Sequence, residues 1–343
     1  DKKIRRNIMI LICYGTRPEH IKISPLLSEM KDKIPYKTLF TGQHTDLVKN
    51  VNFDFDLKIK DGNNRLDSVV QSCLNLDEDI FEGISHILVQ GDTVSAYSLA
   101  LAAFHRGIKI IHLEAGLRTY DFNNPYPEEA YRQCISRISD INLCPTQNNW
   151  NNLQSEKVRG DSVVVGNTVL DNLLGIESTY GDKVLITMHR RENHHNMDEW
   201  FKEINQLAID NPELNFEIPL HPNPNVKKHK DILTHVNVVS PFDYNTMIKE
   251  ISECKFLISD SGGIQEESSF LNKKVIVCRK ITERPESVGK HSFMCGEPQN
   301  LKGVFYSLKE NYKVDLDCPY GDGQSSKKIV NYLKEKIYGN SSS

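Results

Sequence analysis

Asp92, Glu114 and Glu128 are three acids that flank short apolar runs in the first half of the chain. Clustered carboxylates raise one another's pKa and can divide proton donation from proton abstraction, so three at one sheet edge suit acid–base chemistry. Glu129 competes with Glu128, because spacing alone does not separate neighbours. The structural alternative for each acid is pairing with Arg118, Arg132 or Arg137, or capping a helix.

A second group suits an anion. Asp260-Ser261-Gly262-Gly263-Ile264-Gln265-Glu266-Glu267 sets small residues at a strand-to-helix turn, leaving backbone N–H groups and the helix dipole open to a phosphate. Glu266, one turn into the helix, can accept hydrogen bonds from a ribose diol; an ordinary cap at Ser261 is the competing reading. Arg17 stands before Pro18 at a helix start, with Lys22 a turn further on, so both can reach an oxygen-rich ligand unless they pair with a carboxylate such as Glu19. His189, flanked by Arg190 and Arg191, and His221 end two strand-like runs and suit a pyrophosphate as neutral donors. His189, His194 and His195 do not form a metal set. The chain has no HExxH, no Cys/His ladder and no EF-hand loop, and it lacks a P-loop lysine, a GxSxG elbow and a GxGxxG after its first strand. No metal is expected, and a nucleotide triphosphatase, an α/β-hydrolase and a standard dinucleotide enzyme are disfavoured.

Elements must bring these residues together. The 343 residues have room for about two domains. Net charge is −4 without long single-sign runs, which offers no basic stripe for nucleic acid and no polybasic anchor for a membrane. No apolar run approaches the roughly 20 residues of a membrane span, and a charged start leads into a strand-like run, so a soluble, cytoplasmic protein is expected. Eight scattered cysteines without a CxxC pair read as reduced core filler.

Short β-branched runs alternate with helical segments, the pattern of a doubly wound parallel sheet. Strands are expected at 8–14, 36–41, 86–90, 109–113, 141–143 and 162–165, with helices at 18–30, 94–106 and 127–139. A second series falls at 183–187, 215–219, 236–240, 256–259 and 274–278. The expectation is therefore two Rossmann-like α/β domains, at 1–178 with the acids and at 179–322 with the anion-binding turn, hinged near 177–182. An amphipathic helix at 323–338 should pack back on the first domain. Ligands of open α/β sheets bind beyond the carboxyl ends of strands, and every polar cluster above follows a strand, whereas the opposite connections (Asp32-Lys33, Arg106-Gly107, Asn272-Lys273) are ordinary. The expected site is a cleft between the domains.

A run of motifs then carries a resemblance. Gly15-Thr16-Arg17-Pro18-Glu19, Gln43-His44, Gly91-Asp92-Thr93, Glu114-Ala115-Gly116-Leu117-Arg118-Thr119, Pro127-Glu128-Glu129-Ala130, Gly166-Asn167-Thr168-Val169, His189-Arg190-Arg191-Glu192, the 260–267 turn, Thr282-Glu283-Arg284-Pro285-Glu286 and Pro319-Tyr320-Gly321-Asp322-Gly323 occur in order over nearly the whole chain. As a set they resemble the bacterial-type UDP-N-acetylglucosamine 2-epimerases, with the non-hydrolysing kind favoured.

The resemblance implies a glycosyltransferase-B-like fold, a homodimer, and neither metal nor redox cofactor. It implies interconversion of UDP-GlcNAc and UDP-ManNAc through elimination of UDP to 2-acetamidoglucal and re-addition, for surface polysaccharide supply. Carried over, Arg17, Lys22, His189, His221, Ser261, Gly262 and Gly263 meet the UDP-sugar, Glu266 its ribose and Phe242 its uracil. Asp92, Glu114 and Glu128, with His189, do the chemistry, and Arg284 neutralises phosphate charge. A second, activating UDP-GlcNAc is implied at Gln43, His44, Arg65 and Arg190, with His221; Asp46 departs from the glutamine common there and adds a charge near a pyrophosphate. Alternatives are a hydrolysing enzyme giving UDP and free ManNAc, a 2-epimerase of a modified UDP-N-acetyl sugar, a glycosyltransferase needing an acceptor, and a non-catalytic nucleotide-sugar sensor.

Overall fold

The computed structural model describes residues 8–43, 51–60 and 62–339. The chain divides into two compact units, one running to Asn172 and resuming at Gly321, the other spanning Leu173–Tyr320.

The first unit holds β1 (Ile10–Tyr14), α1 (Arg17–Met30), β2 (Tyr36–Phe40), β3 (Phe55–Asp56), α2 (Arg65–Leu74), β4 (His86–Gln90), α3 (Val94–His105), β5 (Lys109–Leu113), α4 (Glu128–Ile138), β6 (Ile141–Cys144), α5 (Gln147–Ser155) and β7 (Asp161–Val164). Its strands lie parallel in the order β3-β2-β1-β4-β5-β6-β7. Both faces of such a sheet are covered, which is why its central strands read as unbroken apolar runs. Alternate side chains of β1 serve different cores: Leu11 and Cys13 pack with Val69, Leu99 and Ile135, while Ile10, Ile12 and Tyr14 pack with Ile23 and Leu26.

The second unit holds β8 (Lys183–Thr187), α6 (Met197–Asp210), β9 (Asn215–Pro219), α7 (Pro224–Lys227), β10 (Asn237–Val239), α8 (Tyr244–Glu253), β11 (Phe256–Ser259), α9 (Gly262–Phe270), β12 (Val275–Val277), β13 (Ser292–Met294) and α10 (Leu301–Glu310). Its parallel order, β10-β9-β8-β11-β12-β13, repeats the winding of the first sheet. Trp200, Phe201 and Ile204 of α6 and Phe305 of α10 fill the core against Val184, Ile186 and Ile258. Returning to the first unit, α11 (Ser325–Leu333) puts Ile329, Val330 and Leu333 into the core that contains Ile23 and Leu26 of α1. Its first two N–H groups, on Ser325 and Ser326, donate to Asp171 at 2.9 and 2.7 Å.

The expected strands at 86–90, 109–113, 183–187, 215–219 and 256–259 stand at those residues, and the others shift by one or two. The edge strands β3 and β13, two and three residues long, were not expected; a strand that short shows no alternation. The expected hinge at 177–182 lies inside the second unit. Thr179 and Gly181 donate their N–H groups to Ser252 and Glu253 O at 2.9 Å, and the Tyr180 hydroxyl donates to Asn272 O at 2.6 Å. The fully buried Lys273 completes this anchor: its ammonium lies 4.0 Å from the Tyr180 ring centroid and donates to the carbonyls of Thr179 and Cys254.

Burial lowers the Lys273 pKa from 10.5 to about 8. Between those values the unfolded chain binds the extra proton, so this residue makes stability rise with pH from about 8 to 10.5. Urea unfolding across that window should show the wild type gaining on Lys273→Met; parallel curves for the two proteins would refute it.

Candidate functional site

In each sheet the winding reverses beside the first strand, at β1/β4 and at β8/β11, the place where ligands of open α/β sheets bind beyond the strand ends. In the first unit a buried carboxylate ties together the loops beyond those strands. Glu19 accepts from Gly15 N, Thr16 N and the Thr16 hydroxyl through Oε2, at 2.8, 2.8 and 2.9 Å, and from the Thr93 hydroxyl through Oε1 at 2.6 Å. Burial raises its pKa, against the pull of these donors. Gly15 has to be glycine, since a Cβ there would come within 1.9 Å of Thr41 Oγ1. With Glu19 so committed, half-buried Arg17 has no ion pair among the described residues.

The acids stand beyond the same strand ends. Asp92 accepts from Arg132 of α4 at Nε, 2.9 Å away, and at Nη2. Its loop is braced by buried His112, whose Nε2 donates to Gly91 O at 2.8 Å; burial lowers the His112 pKa to about 4 and keeps the ring neutral. Glu114 is a non-glycine residue with φ +65°, a conformation costing on the order of 1 kcal/mol and held only where neighbours over-determine it. The neighbours are Lys22, 2.7 Å from both oxygens, Gln90 on Oε2, and Asn167, whose Nδ2 is 3.2 Å from Oε1. Lys22 is thus bonded to a catalytic candidate.

The two adjacent glutamates of α4 separate cleanly. Glu129 is fully buried and accepts from Thr119 N, Tyr120 N, Gln133 Nε2 and Arg132 Nη1 at 2.8 to 3.2 Å. It is a structural brace. Glu128, the first residue of the helix, is half-buried at its positive end.

In the second unit Asp260, fully buried, does what Glu19 does in the first: it accepts from His189 N, Arg190 N and Asn193 Nδ2 at 2.9 to 3.1 Å. His189 Nδ1 lies 3.4 Å from Asp260 Oδ1, and its ring stacks on His221 with centroids 5.3 Å apart. Asn223 N donates to His221 Nδ1 at 3.2 Å, so the neutral ring carries its proton on Nε2 and is a donor. Burial lowers both histidine pKa values, His221 further through its neighbour His189. Arg190 Nε is buried without a hydrogen-bond partner among the described residues.

At the start of α9, the Ser261 hydroxyl makes no capping bond. Gly262 is there for packing: a Cβ would meet Arg284 Nη1 at 2.6 Å and Glu283 Oε1 at 2.9 Å. A Cβ on Gly263 would meet nothing within 4 Å among the described residues, so the space beside this helix start is unfilled by them. Glu266 and Arg284, expected at a ribose and a phosphate, face each other at 2.9 Å, both buried, and Arg284 also pairs with Glu283. Phe242 is half-buried just before α8. Arg65 donates to Gln43 O at 3.0 Å, and Gln43 Oε1 accepts from Ser95 at 2.7 Å; His44 and Asp46 lie outside the described residues. No group of three metal-ligating side chains occurs among the described residues, and no helix there is long and apolar enough to cross a membrane. Gln90, Asn167, His112 and Asp260 went unassigned in the sequence reading. Their signal was slight: polar residues ending or following apolar strands.

Two doubly wound parallel sheets define an α/β protein of the glycosyltransferase-B-like class. The fold is shared with the MurG protein of Acinetobacter baumannii at a TM-score of 0.53 and 14% identity over 95% of this chain and 99% of that one. A family model for UDP-N-acetylglucosamine 2-epimerase matches residues 28–334, and the chain belongs to that family. It is 37% identical to the UDP-N-acetylglucosamine 2-epimerase of Neisseria meningitidis serogroup A, over 94% of this chain and 98% of the relative. A crystal structure of UDP-GlcNAc 2-epimerase from N. meningitidis bound to UDP-GlcNAc matches with a TM-score of 0.88 and 34% identity, over 96% of this chain and all of that one.

The contrast between the α4 glutamates is measurable. Glu129→Ala removes one partner of a buried ion pair and should cost about 3 kcal/mol in urea unfolding, whereas Glu128→Gln should stay within about 1 kcal/mol of the wild type. Equal losses would contradict the assignment of Glu129 as the brace.

Proposed function

We propose that the chain is a non-hydrolysing UDP-N-acetylglucosamine 2-epimerase, a cytoplasmic homodimer that interconverts UDP-GlcNAc and UDP-ManNAc for surface polysaccharide supply. The substrate C2 has no adjacent carbonyl, so removing its proton directly is very slow. Elimination of UDP to 2-acetamidoglucal makes that proton acidic: as the C1–O bond to UDP breaks, a carboxylate takes the C2 proton and the C1=C2 double bond forms. It develops negative charge on the β-phosphate and positive charge at the anomeric carbon, and re-addition returns UDP with the C2 proton on the other face.

The carrying observation is the placement of Asp92, Glu114 and Glu128 at the carboxyl edge of the first sheet, with Asp92 and Glu114 fixed by Arg132 and Lys22. Fixed carboxylates stabilise a developing cation without reorganising, and Glu128 extends the set for proton handling. A leaving diphosphate calls for donors, and His189, His221, Ser261 and the turn at Gly263 in the second unit are groups of that kind. The UDP-GlcNAc bound to the N. meningitidis structure supports the same substrate class. Phe242 serves the uracil, while Glu266 and Arg284 support the turn and complete the nucleotide-binding set.

Incubation with UDP-GlcNAc in deuterated water, followed by NMR, should give two UDP-sugars at equilibrium with deuterium at C2. Stoichiometric UDP with free ManNAc would transfer the assignment to the hydrolysing kind, and an unaltered sugar would end the enzymatic reading. Asp92→Asn should abolish exchange and leave UDP affinity within about threefold.

The same reading places an activating UDP-GlcNAc at Gln43, His44, Arg65 and Arg190, with His221. Initial rate against UDP-GlcNAc concentration should then be sigmoidal, and Arg65→Ala should make it hyperbolic. A hyperbolic wild type would remove the second site.

A further inference from the structure

Three donors surround Glu114, and their geometry decides more than its orientation. Lys22 is an ammonium, able only to donate, at 2.7 Å from each oxygen. Asn167, buried after β7, uses its amide oxygen to accept from Val169 N at 3.2 Å. Its orientation is therefore set by a bond unrelated to Glu114, and it must turn Nδ2 towards Glu114 Oε1. Gln90, the buried last residue of β4, presents Nε2 to Oε2. The β4/β5 register makes this contact short-range in space: Gln90 lies opposite Leu113, the residue before Glu114. Each carboxylate oxygen thus has one amide donor in addition to the ammonium, and a proton added to Glu114 would compete with donors already in place.

Resting on the epimerase reading, we propose that Gln90 and Asn167 are positioning residues that hold Glu114 as an ionised, fixed carboxylate. In the resting enzyme Glu114 is then an ionised stabiliser of positive charge and a proton acceptor, and a proton it takes from C2 it gives back only to the same face, when the reaction runs in reverse. The proton delivered to the opposite face of C2 must come from another group. The left-handed backbone at Glu114 belongs to the same device, because it is tolerated only while these side chains lock the carboxylate in place.

Gln90→Glu and Asn167→Asp each replace a donor with an acceptor of the same shape and force a proton to be shared with Glu114. Both should lower kcat for deuterium exchange at C2 by at least about tenfold near neutral pH, with KM within about threefold and partial recovery as pH rises and the shared proton leaves. A loss equal at every pH, a change confined to KM, or undiminished exchange would overturn the proposal.

A second measurement needs neither turnover nor a folded variant of Gln90 or Asn167. The side-chain carboxyl 13C signal of Glu114, assigned by its absence from Glu114→Gln, should keep the ionised position from about pH 5 to pH 8 in the wild type. Titration within that range would overturn the proposal whatever the kinetics. If the signal stays fixed while the wild type leaves UDP-GlcNAc untouched, the epimerase reading fails and the positioning roles stand.

Discussion

A buried carboxylate at each winding reversal is the constraint on which the arrangement depends. A parallel sheet leaves the loops after its first and fourth strands side by side but unconnected, each with N–H groups that no ladder satisfies. Glu19 collects those N–H groups after β1 and reaches the hydroxyl of Thr93 after β4. Asp260 collects them after β8 from its own place after β11. One side chain thereby sets the relative position of two loops, and the groups on those loops inherit its rigidity. Asp92 stands one residue before Thr93, and His189 supplies an N–H that Asp260 holds.

The cations are distributed with the same economy of position. Arg132 and Lys22 come from the helices α4 and α1, whose apolar faces are buried in the sheet cores, so the acids Asp92 and Glu114 are each met by a side chain from a rigid element. Arg132 also braces Glu129, which couples the start of α4, and with it Glu128, to the loop carrying Asp92. Arg17 and Arg190 differ: Glu19 and Asp260 take backbone donors beside them, leaving both guanidiniums without ion pairs among the described residues. A cation left unneutralised near a carboxyl edge has the charge an anionic ligand requires.

Most of this fold was legible because central parallel strands are buried on both faces and appear as continuous apolar runs. Where that signature weakens, so did the reading. Two-residue β3 and three-residue β13 carry no period. The stretch 177–182 is polar enough to pass for a hinge, yet Tyr180 and Lys273, 93 positions apart, fix it within the second unit. At the site, residue types and strand ends singled out the acids and histidines as candidates, but partnership is a matter of distance in space. Lys22 and Glu114 are separated by 92 residues, and nothing in their spacing announces that they bond. Glu128 and Glu129 could not be told apart because neighbouring helical side chains diverge by about 100°, and which one turns inward depends on how the helix is seated.

The carboxylates also show why identical side chains cannot be assumed to share one task. Glu129 is saturated by four donors and fully buried, so it has neither access nor free lone pairs for chemistry. Asp92 and Glu114 are each met by a cation at the carboxyl edge, where a charge-assisted hydrogen bond fixes an ionised oxygen; Asp92 keeps part of its side chain exposed, whereas Glu114 is buried. Glu128 begins a helix, where the peptide dipoles favour its charge. Four acids drawn from one helix start and two strand ends arrive at three distinct environments, and carboxylates in unequal surroundings are not interchangeable as proton donors and acceptors.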